Sequence, residues 1–404
     1  MMGLAVRGAS APTITRTRRR AHVSAALPDN AVDRRSMLMG SGALLLSSSA
    51  PSTLPQLAAA QAAPVMPTAP LPNVPGLEVS RVIKGCWQLS GAHKGDPATD
   101  RTSGKAAVED FDAFVNAGVT TFDAADHYGP AELLIGRYLA QGQPGLRDRL
   151  QIMTKVCVFD SVGMATVSRA SMDLAVATCA ARLGTRPDNV QFYWGSYDIP
   201  RYVDAAKYLA EGQAAGNFRA LGVTNFDVKR MAQMTDAGVT LASNQLQYSL
   251  LDRRPENGMA QFCLDRGIAL LPYGVLAGGL LSEKYLGAPP SSVKLDTVSK
   301  RKYAPVIGEA GGFEWYQRLL RALDGIAKKH DTTISNVAAK WVLDRPGVAG
   351  VILGARNASH AADAPVLANL QLDEADKAAI SEVLAAGKKP KGDCYQWERG
   401  LGPF

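Results

Sequence analysis

Asp123 and Tyr128 stand five residues apart, and Thr154 and Lys155 close the next apolar run. A carboxylate, a phenol and an ammonium together can make a proton donor. A phenol ordinarily ionises near pKa 10, so it gives up its proton close to neutral pH only where a cation favours the phenolate. Lys155 is the candidate cation, and Asp123 the counter-ion that would hold it in place. Such a trio suits protonation of an oxygen that is gaining negative charge. One tyrosine among 12 would ordinarily be a core or surface residue; its fixed distance from Asp123, just ahead of a Thr-Lys strand, argues for function. Asp126 and His127, between the two, are expected to be loop residues.

These side chains can meet only if neighbouring strands carry them. From residue 77 onward, short β-branched runs alternate with helical ones, the pattern of a parallel sheet with crossover helices. The runs predict strands at 82–87, 120–125, 151–156, 190–194, 220–224, 243–248, 269–273 and 350–354. Amphipathic spacing predicts helices at 107–117, 172–183, 202–215 and 259–266. Eight strands over roughly 300 residues fit a closed (β/α)8 TIM barrel better than an open doubly wound sheet. No G-x-G-x-x-G follows the first strand, which weakens a dinucleotide-binding open sheet further. In a barrel, reactive groups gather at the carboxyl ends of the strands. The polar segment 286–312 is expected to be a lid or specificity loop. Helical stretches at 359–370 and 373–386 supply an additional C-terminal helix, and residues 389–404 form a tail.

The charge distribution argues against nucleic acid as a partner. Residues 1–63 hold seven Arg and two Asp with no Lys or Glu, so +5 of the formal +7 lies there and only +2 remains for the rest of the chain. A nucleic-acid binder needs clustered positive charge on its folded surface. The first 30 residues have no acid before Asp29 and read as a transit peptide. Arg34 and Arg35 then precede an apolar stretch at 37–46 and an Ala-Gln-Ala at 60–62, a second, twin-arginine-type signal with its cleavage site. That stretch is about half the ~20 residues a membrane-spanning helix needs, so no membrane span is expected. Tandem signals of this kind resemble the leader of a chloroplast protein sent on to the thylakoid lumen; if the second is not read, the stroma is the destination. A bacterial exported protein and a plain disordered extension are the competing readings. The expected division is a leader at 1–63, a Pro-rich linker at 64–76, the barrel at 77–388 and the tail at 389–404. The five cysteines, Cys86, Cys157, Cys179, Cys263 and Cys394, form no CxxC pair and give neither a disulfide framework nor a zinc motif, so no metal is expected.

Five strings in order give the chain a family resemblance. F-D-x-A-x-x-Y-G-x-x-E at Phe122 to Glu132 is followed by Thr154 and Lys155, G-V-T-N-F at Gly222 to Phe226, S-N-Q-x-Q-Y-S at Ser243 to Ser249 and L-G-A-R-N at Leu353 to Asn357. The chain resembles the aldo-keto reductase superfamily, with strings most like plant plastid members. The resemblance implies hydride transfer from a nicotinamide to a carbonyl, with Tyr128 as acid supported by Lys155 and Asp123. It implies that Thr224, Asn225 and Gln245 bind the nicotinamide carboxamide, that Tyr273 stacks on the ring, and that Cys86 and Trp87 border the ring and substrate. The turn at Gly354 and Arg356 would hold a phosphate, and Arg356 points to NADPH over NADH. His360 and Asp363 stand where the family uses Gln and Glu towards the adenosine. The sequence departs from the pattern at the fourth strand, where Tyr193 replaces the family's catalytic His. A phenol can still donate to a carbonyl oxygen but is bulkier than an imidazole.

Two functions of different class follow: a reductase of small-molecule aldehydes or ketones, or an NADPH-binding regulatory or sensor protein whose turnover is impaired by Tyr193. A barrel glycosidase fails because Asp123 and Asp126 share one loop, with no acidic partner placed to flank a sugar bond. The identity of the substrate and the oligomeric state have no counterpart in the residue pattern.

Overall fold

The computed structural model describes residues 65–94 and 103–400; the expected leader at 1–63 lies outside the described residues. Eight parallel strands close into a barrel: β3 (Val82–Gly85), β4 (Thr121–Asp123), β5 (Gln151–Val158), β6 (Asn189–Trp194), β7 (Ala220–Thr224), β8 (Ser243–Gln247), β9 (Ala269–Tyr273) and β10 (Val351–Gly354). They are hydrogen-bonded in chain order, and β10 closes the ring between β9 and β3. Strands shielded by helices outside and packed side chains inside are buried on both faces, as β3, β7 and β8 are throughout; the polar residues of β8, Ser243, Asn244, Gln245 and Gln247, are buried too. The outer helices are fixed locally. Ser168 and Ser171 form a capping box at the start of Arg169–Leu183, and Asp227 caps Val228–Asp236 by accepting from the Arg230 amide at 2.9 Å.

Three segments depart from the sequence expectation. Residues 64–76 are not simply a linker: β1 (Thr68–Pro70) pairs antiparallel with β2 (Glu78–Ser80). Leu71, Leu77 and Val79 of this hairpin pack with Ile83, Met153, Ala220, Ala269 and Leu271, stopping the barrel at the amino-terminal ends of its strands. The apolar bottom of the barrel needs a cover, and Leu71 and Leu77 are the residues that provide it.

Residues 286–312 are not one long loop either, because a helix runs over Val298–Ala310, capped by Thr297. Its buried Tyr303, Val306, Ile307 and Ala310 have helical spacing, a signal masked by the polar residues and by Pro305. The tail from 389 folds onto the carboxyl-terminal side of the barrel. Asn257 donates to the Pro390 and Gly392 carbonyls at 2.9 Å each, Cys394 and Trp397 are buried, and Arg254 binds both oxygens of Glu398 at 2.9 and 2.8 Å. The additional C-terminal helix forms at Glu374–Ala385, and the Trp315 indole donates to the Val383 carbonyl within it at 2.8 Å.

Candidate active site

β4 ends on Asp123, and β5 presents Lys155 beside it with both side chains almost fully buried, at 3% and 4% exposure. The Lys155 ammonium donates to Asp123 Oδ2 at 2.7 Å and to the Ala124 carbonyl at 2.8 Å. The other carboxylate oxygen accepts from Gln191 Nε2 of β6 at 2.8 Å and from Gln245 Nε2 of β8 at 2.7 Å. Four strands therefore fix one carboxylate, and through it one ammonium. Burial without this set would cost several kcal/mol, and each lone pair used removes part of that cost.

Tyr128 lies on the loop after β4, with the Lys155 ammonium 4.7 Å from its ring centroid. Trp87 packs edge-on against it at 5.2 Å and His127 at 4.8 Å. Burial pushes the phenol up; the charge of Lys155 pulls it back, Asp123 and Cys157 push it up again, and a hydrogen bond from Lys155 lowers it, leaving it at about 12. Lys155 itself is lowered by burial but raised more by Asp123 and Tyr128, so it stays a cation. The three residues picked out by spacing thus form one cluster at the carboxyl ends of adjacent strands.

The remaining expected residues fall into separate places. Cys86 is fully buried, its thiol lying 3.8 Å from the Lys84 carbonyl, so of the pair only Trp87 reaches the mouth. Thr224 is buried and donates to the Gln245 carbonyl at 3.1 Å. The Gln245 amide nitrogen is bound to Asp123 and to Gln191 Oε1, which leaves its oxygen for any other partner. Asn225 is half-buried in a left-handed conformation with φ 59°, and its Oδ1 accepts from the Tyr273 hydroxyl at 2.8 Å. Gly354 ends β10 with the Gln88 amide packed against it, and a Cβ there would lie 2.0 Å from Gln88 Nε2, so any larger residue would have to push that side chain aside. Gln88 Oε1 is buried with no hydrogen-bond partner in this cleft. Arg356 is half-buried in the following turn, whereas His360 and Asp363 are exposed and bonded to one another at 3.0 Å.

Tyr193 sits further up the rim, in register with Cys157. Successive ring contacts link it to Tyr128: Tyr128 to His127, His127 to Phe159 at 5.0 Å, and Phe159 to Tyr193 at 5.2 Å. Burial raises its hydroxyl and the nearby Arg399 lowers it, with a net rise.

Several residues at the mouth escape sequence reasoning. Gln191 was missed, although its place two residues before Tyr193 on one strand, and so on the same face, was a signal that could have found it. Lys302, Tyr395 and Arg399 gave no such signal, because they come from the 298–310 helix and the tail. The Lys302 ammonium donates to the Tyr273 hydroxyl at 3.0 Å and lies 4.9 Å and 4.8 Å from the Tyr273 and Tyr395 ring centroids. Arg399 donates to the Gly195 carbonyl at 2.9 Å and lies 5.1 Å from the Tyr193 ring and 4.2 Å from the Tyr197 ring.

Comparison with known proteins bears on the family and the fold. The profile of the Aldo/keto reductase family matches residues 81–385. The "Aldo-keto reductase YhdN" of Bacillus subtilis is 27% identical over 315 residues, 76% of this chain and 91% of the relative. The "NADH-specific methylglyoxal reductase" of Escherichia coli is 25% identical over 339 residues, 77% and 96% of the two chains. In three dimensions, a glycerol dehydrogenase from Gluconobacter oxydans superposes with a TM-score of 0.64 at 24% identity, covering 81% of this chain and 97% of that one, which bears out the barrel. The chain belongs to the aldo/keto reductase family and is an NAD(P)-dependent oxidoreductase.

Proposed function

We propose that this protein reduces an aldehyde or ketone to an alcohol using NADPH, with Tyr128 as the proton donor. The observation that carries the reading is the buried ion pair of Lys155 and Asp123, 2.7 Å apart, with its ammonium 4.7 Å from the Tyr128 ring. When bound, the nicotinamide supplies a hydride to the carbonyl carbon. The carbonyl oxygen then gains charge, and Tyr128 transfers its hydroxyl proton to that oxygen as Lys155 stabilises the phenolate left behind. Asp123 keeps the ammonium charged and aimed, and Gln191 and Gln245 keep Asp123 from turning away.

The cleft fits such a cofactor. Tyr273 offers an aromatic face, Asn225 and the free oxygen of Gln245 offer polar groups for a carboxamide, and the orphaned Gln88 Oε1 beside Gly354 is an acceptor awaiting a donor. The Lys302 ammonium binds the Tyr273 hydroxyl at 3.0 Å, past the edge of the ring and not across its face. Arg356, on the turn after β10, supports NADPH by offering a guanidinium to a phosphate. One relative is named for NADH, so membership of the family alone does not set the preference and the proposal rests on Arg356.

The test is turnover of a panel of carbonyls with NADPH, in wild-type protein and in Tyr128→Phe. Loss of turnover in the variant with cofactor binding retained supports the reading; unchanged turnover refutes it. Tyr193 in the position of the family's His favours a second reading, a cofactor-binding sensor, which tight NADPH binding without turnover of any carbonyl would select.

A further inference from the structure

Beside Tyr128, three side chains of different donor chemistry converge that the proposed reduction does not use. Asp126 and His127 come from the loop after β4, and Cys157 from β5. Their ligand atoms, a carboxylate oxygen, an imidazole nitrogen and a sulfur, all lie within 4.8 Å of one another. His127 Nδ1 is 3.0 Å from Asp126 Oδ1, and Asp126 Oδ2 accepts from the Cys157 amide at 2.8 Å.

We infer that Asp126, His127 and Cys157 form a binding site for one divalent metal ion of the zinc class, next to the proton donor. Sulfur, nitrogen and oxygen donors together suit a borderline-soft ion that takes four ligands in a tetrahedron, three from protein and one from water. Bonds of about 2.0–2.3 Å in that geometry put ligand atoms roughly 3.3–3.8 Å apart; the His127–Asp126 pair at 3.0 Å is already that close, and the widest separation, up to 4.8 Å, must close by about 1 Å. The His127 and Asp126 side chains are 36% and 25% exposed, which leaves them room to turn.

Two further observations point the same way. Cys157 is partly exposed, whereas Cys86, Cys179, Cys263 and Cys394 are buried; burial and the Asp126 carboxylate push its thiol up, and the charge of the bound ion is what must offset this to give the thiolate. Among the described residues, no lysine or arginine pairs with the Asp126 carboxylate; nearby Arg182 binds the Asp126 backbone carbonyl and pairs with Glu132 instead. Binding is ligand exchange without oxidation. The Cys157 thiol proton passes to buffer as the metal–sulfur bond forms, the imidazole and carboxylate each donate a lone pair, and waters leave the ion.

An ion held by His127, whose ring lies 4.8 Å from that of Tyr128 and 5.0 Å from that of Phe159, obstructs the approach of a carbonyl to Tyr128. The consequence is a reductase inhibited by zinc. That consequence rests on the proposed function; the metal site does not.

Cobalt(II) serves as the optical probe, titrated into tag-free full-length protein. A thiolate-to-cobalt charge-transfer band that saturates at one equivalent and is displaced by Zn2+ is expected in wild type and in Tyr128→Phe. Loss of a ligand should weaken uptake by at least about a hundredfold, since even the loss of an outer-shell partner costs 10–100-fold. The band should therefore vanish in Cys157→Ser and weaken in His127→Asn. No band at stoichiometric cobalt, or an undiminished band in Cys157→Ser, overturns the site. Where wild type turns over, added Zn2+ should suppress the rate, while Cys157→Ser, measured against its own metal-free rate, resists the ion; equal fractional inhibition of both overturns the link to catalysis. A saturating band in protein that reduces no carbonyl sinks the reductase reading and leaves the metal site standing.

Discussion

Replacing Lys155 with methionine removes the cation that makes Tyr128 a usable acid while keeping a side chain of similar length. The ammonium lies 4.7 Å from the ring that must carry the phenolate charge. At an effective dielectric of about 20 the Coulomb energy at that separation is about 3.5 kcal/mol, or about 2.5 powers of ten in rate if it is expressed in full at the transition state. The substitution also leaves Asp123 buried without its counter-ion, held only by Gln191 and Gln245, which costs about 3–5 kcal/mol of stability. The double variant Asp123→Asn, Lys155→Met removes both charges and returns most of that stability, separating a folding defect from a chemical one. The assay is kcat/KM for NADPH-dependent reduction of one aldehyde, alongside cofactor titration by fluorescence quenching. A fall of about 300-fold in both variants with cofactor affinity kept supports the account. A folded Lys155→Met protein whose kcat/KM stays within about threefold of wild type would show that the ammonium does not tune the acid.

Lys302→Met removes the ammonium that holds the Tyr273 hydroxyl, a charge-assisted hydrogen bond worth about 1.5–3 kcal/mol. The cofactor dissociation constant should rise by about tenfold in a fluorescence titration as the ring loses its anchor; an unchanged constant would mean that Lys302 does not position Tyr273. Arg356→Ala should reduce the ratio of kcat/KM for NADPH over that for NADH by about tenfold, the worth of one charge-assisted phosphate contact; an unchanged ratio sinks the assignment of Arg356. The tail should loosen in acid. Burial raises the Glu398 carboxyl, but hydrogen bonds from Arg254 and the charge of Lys302 more than reverse this and leave it lowered. Its pairing with Arg254 therefore stabilises the tail above the ordinary carboxylate value of 4.5 and is lost as pH falls through the lowered value. Proteolytic cleavage near residue 390 should rise only below pH 4.5, and in Glu398→Gln already at pH 7. Residues 1–63, fused to a fluorescent reporter in a plant or algal cell, should direct it to plastids, with Arg34→Lys, Arg35→Lys retaining it in the stroma; a cytosolic reporter refutes the reading of the leader.

What the sequence determined by itself is whatever nearby residues encode. The strands at 220–224 and 269–273 match their predicted bounds, because each is a short, largely apolar run of the kind a barrel strand covered on both faces often is. Asp123 and Tyr128 were legible because one loop carries both, and Lys155 because it stands at the end of the adjoining strand. Only tertiary structure decided which groups surround them. Gln191 and Gln245 reach Asp123 across 68 and 122 residues, and Arg254 meets Glu398 across 144. Asp126 and His127 meet Cys157 some 30 residues on, without any metal-binding spacing in the chain. Local periodicity reports which face of an element is buried, but strand register and closure of the ring decide which buried faces confront each other. The mouth is therefore where the sequence was least legible: its walls come from a helix and a tail that no short-range pattern ties to the strands they cover.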